Sequence, residues 1–430
     1  MLVPSFRKQH WNVCASDIAR KTHNPIRSIV ENIVVEPNPN KKVIALSIGD
    51  PTTFGNLLPP KEVIEAVQDS VASQLYNGYA PSIGHEMARE AVAEYSSNEF
   101  VKVNSKDVIL CSGCSCALDL CITVLAREGQ NILIPRPGFS IYRTLAEGLG
   151  ITVKTYNLCP ELGWEIDLDD LKEQIDESTA AIIINNPSNP CGSVFRRDHI
   201  LDILDIAAHY YVPIIADEIY EHMVFPGRTF HSLASLSTEV PILSCSGLTK
   251  RFLVPGWRTG WIIIHDRQNV LEAEIRKGLQ CLSQRIIGSN TIIQGALPKI
   301  LRNTPQKFFD DVIDTLYSHS KLAYNSIIKI PGLKPIMPDG AMYMMVYIDL
   351  QCFPEFNSDA EFVQRLLMEE SVFCLPGQCF GCHSYMRLVI TVPGDMLEEA
   401  CQRIQEFCER HHCKTTKISR KNGFVNKIPY

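Results

Sequence analysis

Short apolar runs alternate with segments of helical periodicity through the first two-thirds of the chain, and this alternation most restricts the fold. DVILC (107–111), NILI (131–134), ITVKT (151–155), AAIII (180–184), VPIIA (212–216), PILS (241–244) and GWIII (260–264) read as strands. Between the first two, Leu118, Cys121, Ile122 and Leu125 recur at i, i+3, i+4 and i+7, the period of an amphipathic helix. Runs that are apolar at consecutive positions need cover on both faces. The pattern therefore predicts the α/β class, with a mostly parallel seven-stranded sheet between helical layers. In such sheets ligands sit beyond the carboxyl ends of the strands, so chemistry is sought just after each run.

The rhythm changes near residue 320. A helix over 306–329, a strand over 341–349, a helix over 358–370, a strand over 385–391 and a helix over 395–411 make a separate, smaller α+β unit. The expected organisation is an N-terminal arm and part of the small domain in 1–75, a large domain in 76–320 and a small C-terminal domain in 321–413. A tail, 414–430, carries Lys414, Lys417, Arg420, Lys421 and Lys427 without an acid, a composition expected to stay solvated and flexible.

Composition removes several function classes. Lys plus Arg number 41 against 48 Asp plus Glu, a net charge of −7, so nothing draws the chain to nucleic acid or to an anionic membrane. No run approaches the roughly 18–20 apolar residues of a membrane span. The N-terminus lacks a signal-peptide core, and sixteen cysteines in such a chain read as reduced thiols of a cytoplasmic protein. Arg7, Lys8, Arg20 and Lys21 against Asp17 leave a mitochondrial reading open. Cys379-Phe-Gly-Cys382-His383 has the spacing of a haem attachment site, and Cys408, His411, His412 and Cys413 could be drawn as a zinc site. The first needs export and the second matches no standard zinc spacing, so no metal is expected.

Four strand ends leave polar groups beyond the apolar runs. Ser112-Gly113-Cys114-Ser115 opens a helix, where backbone N–H groups and the dipole suit an anion such as phosphate; small residues there also serve ordinary capping. Asn185-Asn186-Pro187-Ser188-Asn189-Pro190 is, by itself, turn chemistry. Asp217 ends a run apolar on both faces, where a carboxylate needs a cation or donors, unless it only caps a helix. Lys250 follows the strand 241–244 amid apolar neighbours, with Arg258 eight residues on in a Pro-Gly-Trp turn. A desolvated lysine there can add to a carbonyl. Phosphate cradle, buried carboxylate, reactive lysine and second cation together are the parts that hold pyridoxal phosphate.

With these parts stand NPIRSIV, LSIGDPTTFGNL, YNGYAPSIG, PRPGFSIY, NNPSNPCGSVF, ADEIY, KRFLVPGWR and PDGAMYMMV. On these strings the chain resembles, from Asp17 to Cys413, the class I (aspartate-aminotransferase-like, fold type I) pyridoxal-phosphate enzymes. The resemblance implies that Lys250 carries the cofactor as a Schiff base and is the catalytic residue. Asp217 would face the ring nitrogen, Tyr220 and Asn189 the phenolic oxygen, and Phe139 the ring. Arg258 and the amides of Gly113, Cys114 and Ser115 would hold the phosphate, with Tyr79 reaching in from the partner subunit of a homodimer whose active sites are shared. Arg387 would fork onto the substrate α-carboxylate, helped by Gly49 and Asn189.

The implied reaction moves the amino group of an aromatic L-amino acid, tyrosine above others, to 2-oxoglutarate by a ping-pong route. Kynurenine or alanine transamination and β-elimination are alternatives on the same fold, and a catalytically silent cofactor-binding regulator is one from another class. Two departures stand out. Gly247 occupies the place where relatives put a phosphate-binding serine, which loses that contact or shifts it to Ser246. No arginine matches the one that aspartate-specific relatives use for the distal carboxylate, and Arg285 is the nearest candidate.

Overall fold

The structure, a computed structural model, describes residues 11, 13–31 and 36–413. The basic tail, 414–430, lies outside the described residues.

All seven expected strands form, and an eighth joins them. The large sheet runs in the order Val108–Cys111, Gly260–His265, Ile242–Gly247, Ile214–Asp217, Thr179–Asn185, Asn131–Arg136, Thr152–Cys159, Glu165–Ile166. The eighth strand has two residues, too few for a periodic signal. Strand alternation sends successive residues to opposite faces. Ile183, Ile215 and Leu243 pack with Ala117, Leu118 and Cys121 of the helix Cys114–Leu125. Ile182, Ile184, Ile214 and Ile242 pack with Ile200, Ile203 and Ala207 of the helix Arg197–His209 on the other side. Each fully buried isoleucine contributes about 1.5–3 kcal/mol, so the covered sheet is the rigid part of the molecule.

Two strands are inverted, the two-residue edge strand Glu165–Ile166, antiparallel to Thr152–Cys159, and one inside the sheet. Gly260–His265 runs antiparallel to both its neighbours, Val108–Cys111 and Ile242–Gly247, whereas the strands from Ile242–Gly247 across to Thr152–Cys159 pair in parallel. Cys111 and Gly247 therefore both lie opposite Gly260. The forward strands end at the same edge where the inverted Gly260–His265 begins, which brings Arg258 against Gly113 and into one cleft with Lys250.

The C-terminal unit is a four-stranded antiparallel sheet in the order Leu333–Pro335, Tyr343–Ile348, Tyr385–Val389, Leu375–Pro376, flanked by the helices Gln306–Ile327, Asp359–Glu370 and Gly394–His411. The segment around residue 45 is stitched into it. Ile44–Ala45 pairs in parallel with Val372–Phe373, and the Val389 N–H donates to the Leu46 carbonyl at 2.9 Å. Lys61–Ser73, by contrast, packs Val63 and Ala66 against Ile293, Leu297 and Ile300 beneath the large sheet. Among the described residues no helix is long and apolar enough to cross a membrane.

Candidate active site

Between the two sheets lies a cleft of about 440 Å³ lined by Gly49, Cys114, Ser115, Phe139, Asn189, Tyr220, Lys250, Arg258 and Arg387, among others. The sequence reading had singled out all nine. Asp217 and Gly113 are not among the lining residues: Asp217 is buried behind Cys114, whose thiol donates to it, and Gly113 is the N-cap of the helix that Cys114 opens. Tyr79 is 90% exposed and is not among the residues lining the cleft of its own chain.

Asp217 closes its strand with 2% of its surface exposed. Its carboxylate accepts hydrogen bonds from the Tyr142 hydroxyl at 2.6 Å, the Ile219 N–H at 3.3 Å and the Cys114 thiol at 3.7 Å. Burial raises its pKa, while these three donors and the nearby Lys250 pull it back. The carboxylate is thus held where a cation of the right shape gains most from it.

The adjoining loop is tied to the same strand. Asn185 donates through Nδ2 to the Asp217 carbonyl at 3.0 Å and accepts through Oδ1 from the Asn189 N–H at 2.7 Å. Asn189 thereby faces the cleft and accepts from Arg387 Nη1 at 2.8 Å.

The anion-binding corner depends on close backbone approach. Gly113 caps the helix Cys114–Leu125 with φ +85 and no side-chain cap. A Cβ on it would meet Arg258 Nη2 at 2.6 Å. Gly260 faces it across the strands, where a Cβ would lie 2.7 Å from the Cys114 nitrogen. Arg258, itself at φ 51, anchors its guanidinium on the carbonyls of Pro255 at 3.0 Å and Ser112 at 3.2 Å. The first-turn N–H groups of a helix have no partners within it, and they and the guanidinium share this corner.

Lys250 donates from Nζ to the Gly49 carbonyl and lies 5.8 Å from the centre of the Tyr220 ring. Tyr220 and Tyr343 share a hydrogen bond of 2.6 Å, and burial followed by Tyr343 raises the Tyr220 pKa. Arg387 is 3% exposed and donates from Nη2 to the Ser47 carbonyl at 2.6 Å. Its guanidinium lies 4.4 Å from the Tyr343 ring and 4.8 Å from the Phe380 ring. Burial lowers its pKa, and its buried Nε has no hydrogen-bond partner among the described residues. A buried donor without a partner is costly, and an incoming carboxylate would relieve it.

Sequence reasoning missed Tyr142, Tyr343, Ser47 and Thr249. Tyr142 lies three residues beyond Phe139 inside PRPGFSIY, so helical spacing was its one signal. The shift of a phosphate contact to Ser246 does not occur. Ser246 Oγ donates to Glu221 Oε1 at 2.9 Å and lines a separate cavity with Ser244, because residues 244 and 246 share one face of their strand. Thr249 lines the cleft instead. Arg285 is exposed and is not among the residues lining the cleft.

These residues fit pyridoxal phosphate. The uncapped helix start and Arg258 match a phosphate, Asp217 matches a protonated ring nitrogen, Lys250 matches an aldehyde, and the unpartnered Nε of Arg387 matches a substrate carboxylate.

Residues 41–404 match the aminotransferase class I and II family. Over 408 residues, 95% of this chain and 90% of the other, the sequence is 58% identical to the tyrosine aminotransferase of Mus musculus. It is 47% identical over 411 residues, 95% of this chain and 99% of the other, to that of Dictyostelium discoideum. The crystal structure of tyrosine aminotransferase from Leishmania infantum superposes with a TM-score of 0.89 at 36% identity, covering 94% of this chain and 100% of that one. The chain belongs to the class I and II aminotransferases, enzymes of fold type I that depend on pyridoxal phosphate.

Proposed function

We propose that the protein transfers the amino group of an aromatic L-amino acid, tyrosine before others, to 2-oxoglutarate, giving 4-hydroxyphenylpyruvate and glutamate. The observation that carries this reading is the convergence of Lys250, Arg258 and Arg387 on one cleft over the buried Asp217. Bound there, pyridoxal phosphate would supply an aldehyde that captures amines and a ring that accepts the electron pair left at the substrate Cα.

The chain's own residues do the rest. Arg387 and Asn189 hold the α-carboxylate, and the planar fork orients the Cα–H bond. With pyridoxal phosphate bound, Lys250 Nζ would be the amine that holds its aldehyde and the base that carries the substrate Cα proton. Asp217, fixed by Tyr142, would hold a proton on the ring nitrogen. Tyr220, braced by Tyr343, would donate to the phenolic oxygen, and Phe139 would lie against the ring. Gly113, Cys114, Ser115 and Arg258 would hold the phosphate. Leu118, Phe139 and Ile141 give the wall an apolar stretch on which an aromatic side chain can rest.

The same reading makes the enzyme a homodimer in which the exposed Tyr79 serves the neighbour's phosphate. A cytosolic setting belongs to the same reading, supported by the sixteen cysteines, which read as reduced thiols. The test is a single half-reaction. Tyrosine alone should convert the bound cofactor to its amine form and release one equivalent of 4-hydroxyphenylpyruvate. Release of pyruvate and ammonia from a cysteine conjugate, with no 2-oxo acid from tyrosine, would instead establish the lyase alternative.

A further inference from the structure

Tyr343 stands where the two sheets meet. It begins the strand Tyr343–Ile348 opposite Val389, and Arg387 lies opposite Met345, so Tyr343 and Arg387 are diagonal neighbours on one face of the small sheet. The Tyr343 ring lies 4.4 Å from the Arg387 guanidinium. Its hydroxyl reaches out of its own unit and shares a hydrogen bond of 2.6 Å with the Tyr220 hydroxyl, three residues beyond the end of the strand Ile214–Asp217 in the large sheet. Both tyrosines are buried.

The surroundings leave that hydroxyl little room. A Cβ on Gly49 would lie 2.3 Å from it, so a glycine is needed for the segment 47–49 to pass. The same segment offers the Ser47 carbonyl to Arg387 and the Gly49 carbonyl to Lys250. The Tyr220 and Tyr343 rings meet edge to face with centres 5.7 Å apart. Besides Tyr343, the charged groups that act on Tyr220 are Arg387 and Asp217, with Lys250 Nζ 5.8 Å from its ring centre.

Resting on the reading above, in which Tyr220 donates to the phenolic oxygen of the cofactor, we propose that Tyr343 is a positioning residue that joins the carboxylate-binding Arg387 to Tyr220. A tyrosine hydroxyl has one proton to give. Tyr220 gives its own to the cofactor, so the proton in the bond between the two tyrosines comes from Tyr343. Accepting that proton polarises the Tyr220 hydroxyl and makes it the stronger donor. The guanidinium charge against the π face of Tyr343 strengthens the Tyr343 hydroxyl as a donor in turn. One side chain thus shelves the group that meets the substrate carboxylate and sets the strength of the group that meets the cofactor oxygen. The first role belongs to the ring and the second to the hydroxyl, so substitution separates them.

The experiment uses the holoenzyme and its Tyr343→Phe, Tyr343→Leu, Tyr220→Phe and doubly substituted Tyr220→Phe/Tyr343→Phe variants. Two quantities are read: the apparent pKa of the bound cofactor from its visible absorbance against pH, and the calorimetric dissociation constant of 3-phenylpropanoate. A weaker Tyr220 donor stabilises the phenolate less, so Tyr343→Phe should raise that pKa by about 0.5–1, the effect of one neutral hydrogen bond. It should leave the dissociation constant within about twofold, because the ring remains against Arg387. Tyr343→Leu should raise the pKa equally and also weaken 3-phenylpropanoate by about 3- to 30-fold. In the Tyr220→Phe background, Tyr343→Phe should add nothing to the pKa. An unchanged pKa in Tyr343→Phe, the same rise persisting without the Tyr220 hydroxyl, or a loss of carboxylate affinity in Tyr343→Phe as large as in Tyr343→Leu would each overturn the assignment. A Tyr220→Phe variant with the parent pKa would instead overturn the placement of Tyr220 on the phenolic oxygen.

Discussion

The Tyr142 hydroxyl donates to Asp217 Oδ2 across 2.6 Å, and both residues are buried. Tyr142 comes from the helix Ile141–Gly148 and Asp217 from the centre of the sheet, so the bond fixes the carboxylate from the flanking layer. It also lowers the pKa of a group that burial pushes up. Tyr142→Phe should let Asp217 rise further and weaken its hold on the ring nitrogen. Cofactor dissociation, followed by fluorescence, should become about tenfold or more easier, the effect of losing one hydrogen bond to a charged group. Unchanged cofactor affinity and an unchanged pH profile would show that Tyr142 only fills space.

Lys250 has a different signature. Lys250→Ala leaves Asp217, Arg258 and the helix start in place, so the variant should still bind pyridoxal phosphate non-covalently. Turnover should fall by several orders of magnitude, because no side chain remains to move the Cα proton. Added methylamine should restore a measurable part. Near-normal turnover without added amine would remove Lys250 from the mechanism.

Arg387 is the group common to both half-reactions. Arg387→Lys replaces a fork held by Asn189 and Ser47 with a point charge. Steady-state kinetics should show kcat/KM for tyrosine and for 2-oxoglutarate falling together, by about 10- to 100-fold each. A loss confined to one substrate would place the shared carboxylate elsewhere.

Glu218 gives a stability prediction independent of turnover. It is 4% exposed, and burial raises its carboxyl from 4.5 to about 8; Glu221 and Asp217 add to the rise while the Leu233 N–H and Ser244 oppose it. Between those two values the folded protein holds a proton that the unfolded chain has released. Stability therefore falls as pH rises through the window and levels off above it. Glu218→Gln is neutral at every pH and should remove that slope, worth up to about 1.4 kcal/mol per pH unit. His222 and His265, held by burial at about 4, contribute little above neutrality. The Cys116 thiol, lowered to about 7 chiefly by its hydrogen bond with Cys111, titrates in the same window with the opposite sign. The carboxyl is therefore read from the difference between parent and variant slopes in urea unfolding at about pH 7 and about pH 8. An equal slope in the variant would mean Glu218 is ionised in the folded state.

Consecutive apolar residues made the large sheet readable, because a strand buried on both faces leaves an unmistakable run. Glu165–Ile166, Leu333–Pro335 and Leu375–Pro376 were not readable, since two or three residues carry no period and form only because a longer strand offers its edge. At the site, residues standing where an apolar run stops, such as Asp217, announced themselves by polarity out of context. Lys250, Arg258 and Arg387 gained their weight from combination and resemblance. Tyr142 and Tyr343 look like ordinary core aromatics in sequence, and only the fold shows where their hydroxyls point. Ser246 misled because its side chain obeys strand alternation, which its nearness to Lys250 in sequence does not reveal.

The most direct test of the account compares tyrosine and aspartate as donors at one fixed concentration of 2-oxoglutarate. The cleft offers an aromatic ring the apolar surfaces of Leu118, Phe139 and Ile141, and it offers the short carboxylate of aspartate no buried cation beyond those already engaged. The expected result is a kcat/KM for tyrosine at least about tenfold above that for aspartate, the cost of an unpaired charge against a buried ring. A kcat/KM for aspartate equal to or above that for tyrosine would contradict it.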